Sequence, residues 1–291
     1  MGKTRAGIRL ALRFGGEIIN ADSVQVYRGF DVGTAKPTPA DRKAVPHHLI
    51  DVADPQVQFT AADFVRGALA AADDVLRRGR FPFVVGGTGL YVKALVDGLF
   101  PGPGRDPAVR SALESEAREK GLEALFRRLE RIDPAYARTV RNRDRVRIIR
   151  ALEVHRTTGR PMSEHFRATR SPTMSYKVVS LGLRLDRAEL CRRIEERVER
   201  MFAGGWPEEV RGLLQSGIGP ETPPFRGLGY RHVADYLEGR LGLDGAKART
   251  KADTRRYAKR QMTWFRKMAG VVWFPADDIS GLEQYVQNLL Q

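Results

Sequence analysis

Residues 16–37 read GEIINADSVQVYRGFDVGTAKP, and the reading of this stretch decides the fold. Glu17 to Ala21 is a short apolar run after a Gly15-Gly16 turn, the pattern of a buried strand. Asp22 and Ser23 stand where that strand ends, and in an open α/β sheet the carboxyl ends of the strands are where ligands bind. An Asp in this position also serves as a turn or helix cap, so the residue alone does not choose between structure and chemistry. Its company favours chemistry: Gly2-Lys3-Thr4 lies upstream, Gly33-Thr34-Ala35-Lys36-Pro37 closes the stretch, and Gly86-Gly87-Thr88 forms a second glycine turn.

Working outward toward the N-terminus, residues 4–14 have helical spacing, with Ile8, Ala11 and Leu12 on one face and Gly15-Gly16 as the stop. Gly2-Lys3-Thr4 therefore opens a helix, as does the second half of a G-x-x-x-x-G-K-[ST] phosphate loop. Backbone N–H groups and the helix dipole favour phosphate there; Lys3 would reach a terminal phosphate and the Thr4 hydroxyl would hold Mg²⁺. The first glycine of the pattern, its four following residues and the strand before them do not precede Gly2 in this sequence. A version carrying the whole loop is expected to be more stable and more active.

In the other direction, His47 to Asp51 reads as a short strand after Pro46. Its two histidines project to opposite faces, which argues against a shared metal. Residues 60–78 form a helix with Thr60 or Asp63 as cap. Phe81 to Val85 is an apolar strand of the parallel type, running through Gly86-Gly87-Thr88-Gly89 into a helix over 90–97. This glycine turn serves equally well as a phosphate cradle or as a tight structural turn. Pro101-Gly102-Pro103-Gly104 is the clearest boundary. Beyond it, residues 106–168 have helical spacing and high charge, and are expected to form a module that moves relative to the core. Five arginines fall within residues 141–150, with Asp144 the acid among them, which favours a phosphate-binding face over a merely solvated one. From Tyr176 to Leu183 the pattern returns to strand and the sheet is expected to resume; a basic helix over about 244–267 and a last strand at Val271 to Phe274 follow. Trp264 and Phe265 suit either stacking on nucleic acid or packing in the core.

Composition sets the bounds. The chain has 291 residues, 42% of them hydrophobic, enough for one large or two modest domains, and a net charge of +15 that points to a polyanion such as nucleic acid. The single cysteine, Cys191, excludes a disulfide framework and a cysteine-based zinc site within this chain. No apolar run is long enough to span a bilayer, and Arg9 and Arg13 interrupt the first apolar stretch, against a signal peptide. The expected setting is cytoplasmic. Three blocks follow: an α/β part over 1–103, a helical insertion over 104–170, and a second α/β part with basic helices over 171–291.

Taken together, the ordered pieces resemble the bacterial tRNA dimethylallyltransferases (tRNA isopentenyltransferases) over essentially the whole length. The pieces are Asp22-Ser23-x-Gln25-x-Tyr27-Arg28-Gly29, Gly33-Thr34-Ala35-Lys36-Pro37, Pro46-His47-His48-Leu49, Gly86-Gly87-Thr88-x-Leu90-Tyr91, Arg150-Ala151-Leu152-Glu153-Val154, Gly229-Tyr230-Arg231 and Lys259-Arg260-Gln261-x-Thr263-Trp264-Phe265-Arg266. The resemblance implies a P-loop NTPase-like parallel sheet core with an all-helical insertion domain. It also implies transfer of a dimethylallyl group from dimethylallyl diphosphate to the exocyclic amine of the adenosine on the 3′ side of the anticodon, in tRNAs reading codons that begin with U. Asp22 would be the general base. Gly2, Lys3, Thr4, Thr88 and Arg197 would hold the diphosphate, with Mg²⁺ on Thr4, and Thr88 and Arg197 would join Asp22 in catalysis. Ser23, Val24 and Gln25 would line the target base beside Asp22 and Thr88. Val146, Arg147, Ile148, Ile149 and Arg150, with Arg226, Gly229, Tyr230 and Arg231, would face the tRNA. The partners implied are tRNA and dimethylallyl diphosphate, with no membrane and a monomeric chain. Two other classes use some of the same residues. A P-loop kinase or nucleotide hydrolase needs Gly2-Lys3-Thr4 but not the arginine run. A non-catalytic RNA-binding protein explains the charge but not two glycine turns around an Asp.

Overall fold

The computed structural model describes residues 2–100 and 102–291; Pro101, part of the expected boundary, lies outside them, as does Met1. The chain forms two compact units, one from Met1–Ala94 with Val178–Gln291 and the other from Leu95–Lys177.

The first unit begins with α1 (Lys3–Phe14), which stops at Gly15, a left-handed residue (φ 63°) whose N–H bonds to the Ala11 carbonyl. Next come β1 (Glu17–Ala21), α2 (Pro39–Ala44), β2 (His47–His48), α3 (Ala61–Arg77), β3 (Pro82–Gly86) and α4 (Gly89–Val96). Capping boxes start α2 at Thr38/Asp41 and α3 at Thr60/Asp63. The strands form a parallel sheet in the order β2-β1-β3, and every residue of the central β1 is buried. The strand expected over residues 47–51 ends at His48, because Leu49 and Asp51 take left-handed backbone angles (φ 59° and 58°) that no ladder accepts. At the start of β1 the buried Glu17 carboxylate is met by Arg78, Arg80 and His48. The hydrogen bonds from Arg78 hold its pKa down at about 2.

The second unit is helical: α5 (Pro107–Glu119), α6 (Leu122–Ile132), α7 (Pro134–Ala137), α8 (Arg145–Thr158) and α9 (Met162–Arg167). Asp106, Asp133 and Asp144 cap α5, α7 and α8. Leu113, Leu125, Leu129, Ile148, Ile149 and Leu152 form the core. Three arginines of the run find acidic partners. Arg145 pairs with Glu114, Arg147 with Asp144, and Arg150 with the fully buried Glu153, while the other guanidinium nitrogen of Arg150 donates to the Pro103 carbonyl at 2.6 Å. Arg150→Ala should therefore lower the stability of this unit by about 1–3 kcal/mol, since it strips a buried carboxylate of one partner. Thermal unfolding checks this; an unchanged melting temperature would show that Arg110 (3.3 Å) and the Asp106 N–H (2.9 Å) satisfy Glu153 without Arg150.

The chain then re-enters the first unit with β4 (Ser180–Arg184), α10 (Arg187–Ala203), α11 (Trp206–Gln215), a 3₁₀ turn at Pro223–Arg226, α12 (Tyr230–Leu237), α13 (Leu243–Phe265), β5 (Val271–Pro275) and α14 (Ile279–Leu290). The sheet does not simply resume: β4 pairs in parallel with β5 alone, as a separate two-stranded sheet. Among the described residues the outer strands β2, β3, β4 and β5 each have one edge without a strand partner, and Val84 of β3 is 41% exposed. The two sheets still share a core, because Ala6 and Leu10 of α1 and Leu282 and Val286 of α14 pack with Phe83, Leu181, Leu183 and Phe274. A second core gathers Tyr27, Phe30, Trp206, Phe225 and Tyr230; the Phe30 and Tyr230 rings lie 4.8 Å apart. Among the described residues no helix is long and apolar enough to cross a membrane.

Candidate active site

The register of β1 and β3 builds the site. Ala21 stands opposite Gly86, so Asp22 and Gly87-Thr88 leave the sheet at the same level. Only glycine fits at 86, where a Cβ would run into the Ala21 carbonyl. Beyond the strands the two turns are tied together. The Thr88 N–H donates to the Ala21 carbonyl (3.2 Å), and Thr88 Oγ1 accepts from the Ser23 N–H (3.0 Å). Asp22 Oδ1 accepts from the N–H groups of Val24 (2.9 Å) and Gln25 (3.2 Å), so one carboxylate oxygen caps the turn. Among the described residues no donor reaches Oδ2.

Two cations face this carboxylate. Burial pushes the Lys3 ammonium at the start of α1 down to about 8, the like charge of Arg197 adds to the effect, and Asp22 opposes it. Arg197, on α10, is pushed down by the protein around its guanidinium while Asp22 holds it up, and it donates to the Thr34 carbonyl at 3.0 Å. Lys3 also runs past the second glycine turn: a Cβ on Gly87 would lie 3.4 Å from Lys3 Cε. Lys3, Arg197, Asp22 and Thr88 thus surround one spot at the carboxyl ends of β1 and β3. Thr4, one residue on, lines a small cavity with Asn20, Gln25 and His47.

The long helix α13 closes the glycine turn, which sequence reasoning did not foresee. Gln261 Nε2 donates to the Gly87 carbonyl at 2.7 Å, and Trp264 packs so closely on Gly89 that no side chain fits there. The Tyr257 hydroxyl meets Thr88 and Gln261; burial raises its pKa, with Asp22 adding to the shift. The signal was present, since residues 257, 261 and 264 are spaced as one helical face, but the basic residues between them drew the reading toward nucleic acid. Lys36 was missed as well: its buried ammonium donates to the Tyr27 carbonyl (2.9 Å), Asp31 (2.6 Å) and Asp51 (2.5 Å).

The residues expected to face tRNA divide. Val146, Arg147, Arg226 and Arg231 are exposed. Ile148 and Ile149 are wholly inside the helical core, and Arg150 is committed to Glu153. Gly229 (φ 89°) leaves room for Trp206, and Tyr230 is buried beneath it. Val24 approaches the Arg226–Tyr230 loop, 3.2 Å from a Cβ placed on Gly227. The two histidines diverge, His47 Nδ1 to the Val45 carbonyl and His48 Nε2 to Glu17.

The sequence model of the IPP transferases matches residues 25–268. The chain belongs to the IPP transferase family. A tRNA dimethylallyltransferase of Geobacter sulfurreducens is 49% identical over 278 residues, covering 95% of this chain and 89% of that one. That of Roseiflexus sp. is 48% identical, covering 100% and 94%. Among solved IPP transferase structures, the full-length tRNA isopentenylpyrophosphate transferase of Bacillus halodurans is 39% identical with a TM-score of 0.72, covering 99% of this chain and 93% of that chain. A eukaryotic dimethylallyltransferase acting on tRNA is 27% identical with a TM-score of 0.82, covering 99% and 74%.

Proposed function

We propose that this chain transfers the dimethylallyl group of dimethylallyl diphosphate to the exocyclic amine of the adenosine on the 3′ side of the anticodon, in tRNAs reading codons that begin with U. One observation carries the reading: the turns after β1 and β3 are tied together at Asp22 and Thr88, Lys3 Cε passes the Gly87 turn and Arg197 bonds the Thr34 carbonyl, so cations and a carboxylate meet at the strand ends. The reaction needs such a pair of opposites. The allylic C–O bond breaks and negative charge grows on the departing diphosphate, which Lys3, Arg197 and the N–H groups at the start of α1 meet. The C–N bond forms as the amine loses its proton to Asp22 Oδ2. The adenine leaves the anticodon-loop stack to sit against Ser23, Val24, Gln25 and Thr88.

Mg²⁺ suits this donor set. It favours oxygen donors and would meet the Thr4 hydroxyl and the phosphate oxygens there. Thr4 would hold the ion, which neutralises charge on the diphosphate when bound. The finer fold, a P-loop NTPase-like core, is part of the proposal. Its support is the parallel strands and Gly2-Lys3-Thr4 at the start of α1. The enzyme acts as a monomer in the cytoplasm.

Incubation with radiolabelled dimethylallyl diphosphate, tRNA and Mg²⁺ tests the reading; label is expected in the adenosine beside the anticodon. Label transferred instead from the γ-phosphate of ATP would replace it with a kinase or hydrolase. For tRNA contact, Arg143→Ala, Arg147→Ala and Arg231→Ala should each reduce the slope of log affinity against log salt by about one, as one phosphate contact is lost. Arg150→Ala should leave that slope alone, its guanidinium being spent inside the helical unit. An unchanged slope in the triple variant would move the tRNA surface elsewhere.

A further inference from the structure

Glu209 lies on α11, outside every group assigned a role above, yet it holds the loop that aims Arg197. Its Oε2 accepts from the N–H groups of Asp31 (2.9 Å) and Val32 (2.6 Å), and its Oε1 from the Gly33 N–H (3.3 Å) and the Tyr230 hydroxyl (2.8 Å). Three consecutive backbone donors converging on one carboxylate form an anion nest, here filled by the protein's own side chain. Gly33 is compelled by the same packing, because a Cβ there would collide with Trp206 and Tyr230. Directly after the nest, Thr34 is locked by its hydroxyl to the Phe30 carbonyl (2.7 Å). The Thr34 carbonyl then accepts from Arg197 (3.0 Å) and from Gln25 Nε2 (3.1 Å).

That carbonyl is the one hydrogen-bond acceptor found for the Arg197 guanidinium among the described residues. Arg197 has a like-charged neighbour in Lys3, which repels it, and a long side chain with many rotamers to lose. Without a fixed acceptor it would swing away from the spot beside Asp22. We propose that Glu209 is a positioning residue for diphosphate binding: by clamping the backbone of residues 31–33 it sets the Thr34 carbonyl, which in turn holds Arg197 toward the leaving group. This rests on the reading of Arg197 as a diphosphate ligand.

The test is a double-mutant cycle on the full chain, with calorimetric affinity for inorganic diphosphate in the presence of Mg²⁺ as the readout. Arg197→Gln and Glu209→Gln are each expected to weaken binding by about tenfold, the worth of one charged hydrogen bond. The double variant should bind no worse than Arg197→Gln alone, since Glu209 has nothing left to aim; residues acting in one chain are non-additive in this way. A general loss of structure would instead multiply the two effects, and that result overturns the proposal. Full affinity in Glu209→Gln alongside a loss in Arg197→Gln also overturns it. Full affinity in Arg197→Gln overturns the underlying ligand assignment instead. Tyr230→Phe removes one donor to Glu209 and provides a milder second variant: its smaller loss should likewise vanish in the Arg197→Gln background, and a loss that persists there counts against the proposal.

Discussion

Asp22→Asn should slow prenyl transfer roughly 10²–10⁴-fold, the usual worth of a general base, with tRNA affinity unchanged. The structure makes this substitution unusually clean. Asp22 Oδ1 caps the following turn through the Val24 and Gln25 N–H groups, and the amide oxygen of Asn can accept the same two hydrogen bonds. What Asn loses is the proton-accepting second oxygen, the one that no donor among the described residues reaches. The turn and the separation of the two roles therefore survive the change. Single-turnover transfer and tRNA binding, measured on the same preparation, decide the matter. Near-normal transfer would leave Asp22 as a cap alone and remove it as the base.

Lys3→Met should cut transfer by about 10²–10³-fold, as expected when one donor to a developing anion is removed. The same change should make the protein more stable at neutral pH, by ~1–3 kcal/mol, because it deletes a charge held where burial disfavours it. The pH dependence follows from the direction of the shift. Lys3 titrates near 8 in the fold and at 10.5 when unfolded. Between those values the unfolded chain binds the extra proton, so stability rises with pH through that window, and the full cost of the charged ammonium is present below pH 8. Binding runs the opposite way: diphosphate needs the ammonium, so affinity should fall as pH rises above 8 and the free site gives up its proton. Calorimetry at pH 7 and pH 9, with thermal unfolding of both proteins, checks each half. Equal diphosphate affinity at the two pH values, or a variant less stable than its parent, would contradict the account.

Much of the fold was legible because it is written locally. β1 runs from Glu17 to Ala21, as the apolar run between Gly16 and Asp22 requires, and α1 stops at the glycine that can take φ 63°. The strand at 271 falls within a residue of where the sequence pattern places it. What failed locally failed for a backbone reason, as at Leu49 and Asp51, whose left-handed angles no side-chain pattern announces. What lay beyond reach was pairing across sequence. Arg145 finds Glu114 thirty-one positions away, and Gly33 finds Glu209 at a separation of 176. Neither carboxylate is marked by its neighbours, so the arginine run looked more naked than it is, and the clamp on Gly33-Thr34 went unseen. The glycines of the second turn were visible, but the cause of Gly87 and Gly89, the close passage of Gln261 and Trp264, was not.

The first unit is assembled from two stretches of chain, with the helical unit encoded between them. This bears on the order of events during synthesis. The apolar face of α1, Ala6 and Leu10, is covered by Leu282 and Val286 of α14, which leave the ribosome on the order of tens of seconds later. The unit Leu95–Lys177 is one continuous stretch of helices, and helical units of lower contact order fold fast. From the emergence of residue 177 until the chain is complete, a nascent chain should therefore hold a finished helical unit beside an unfinished α/β half. Protease digestion of stalled chains should find residues 95–177 resistant while α1 is still cut, and α1 should become protected only once α14 has emerged.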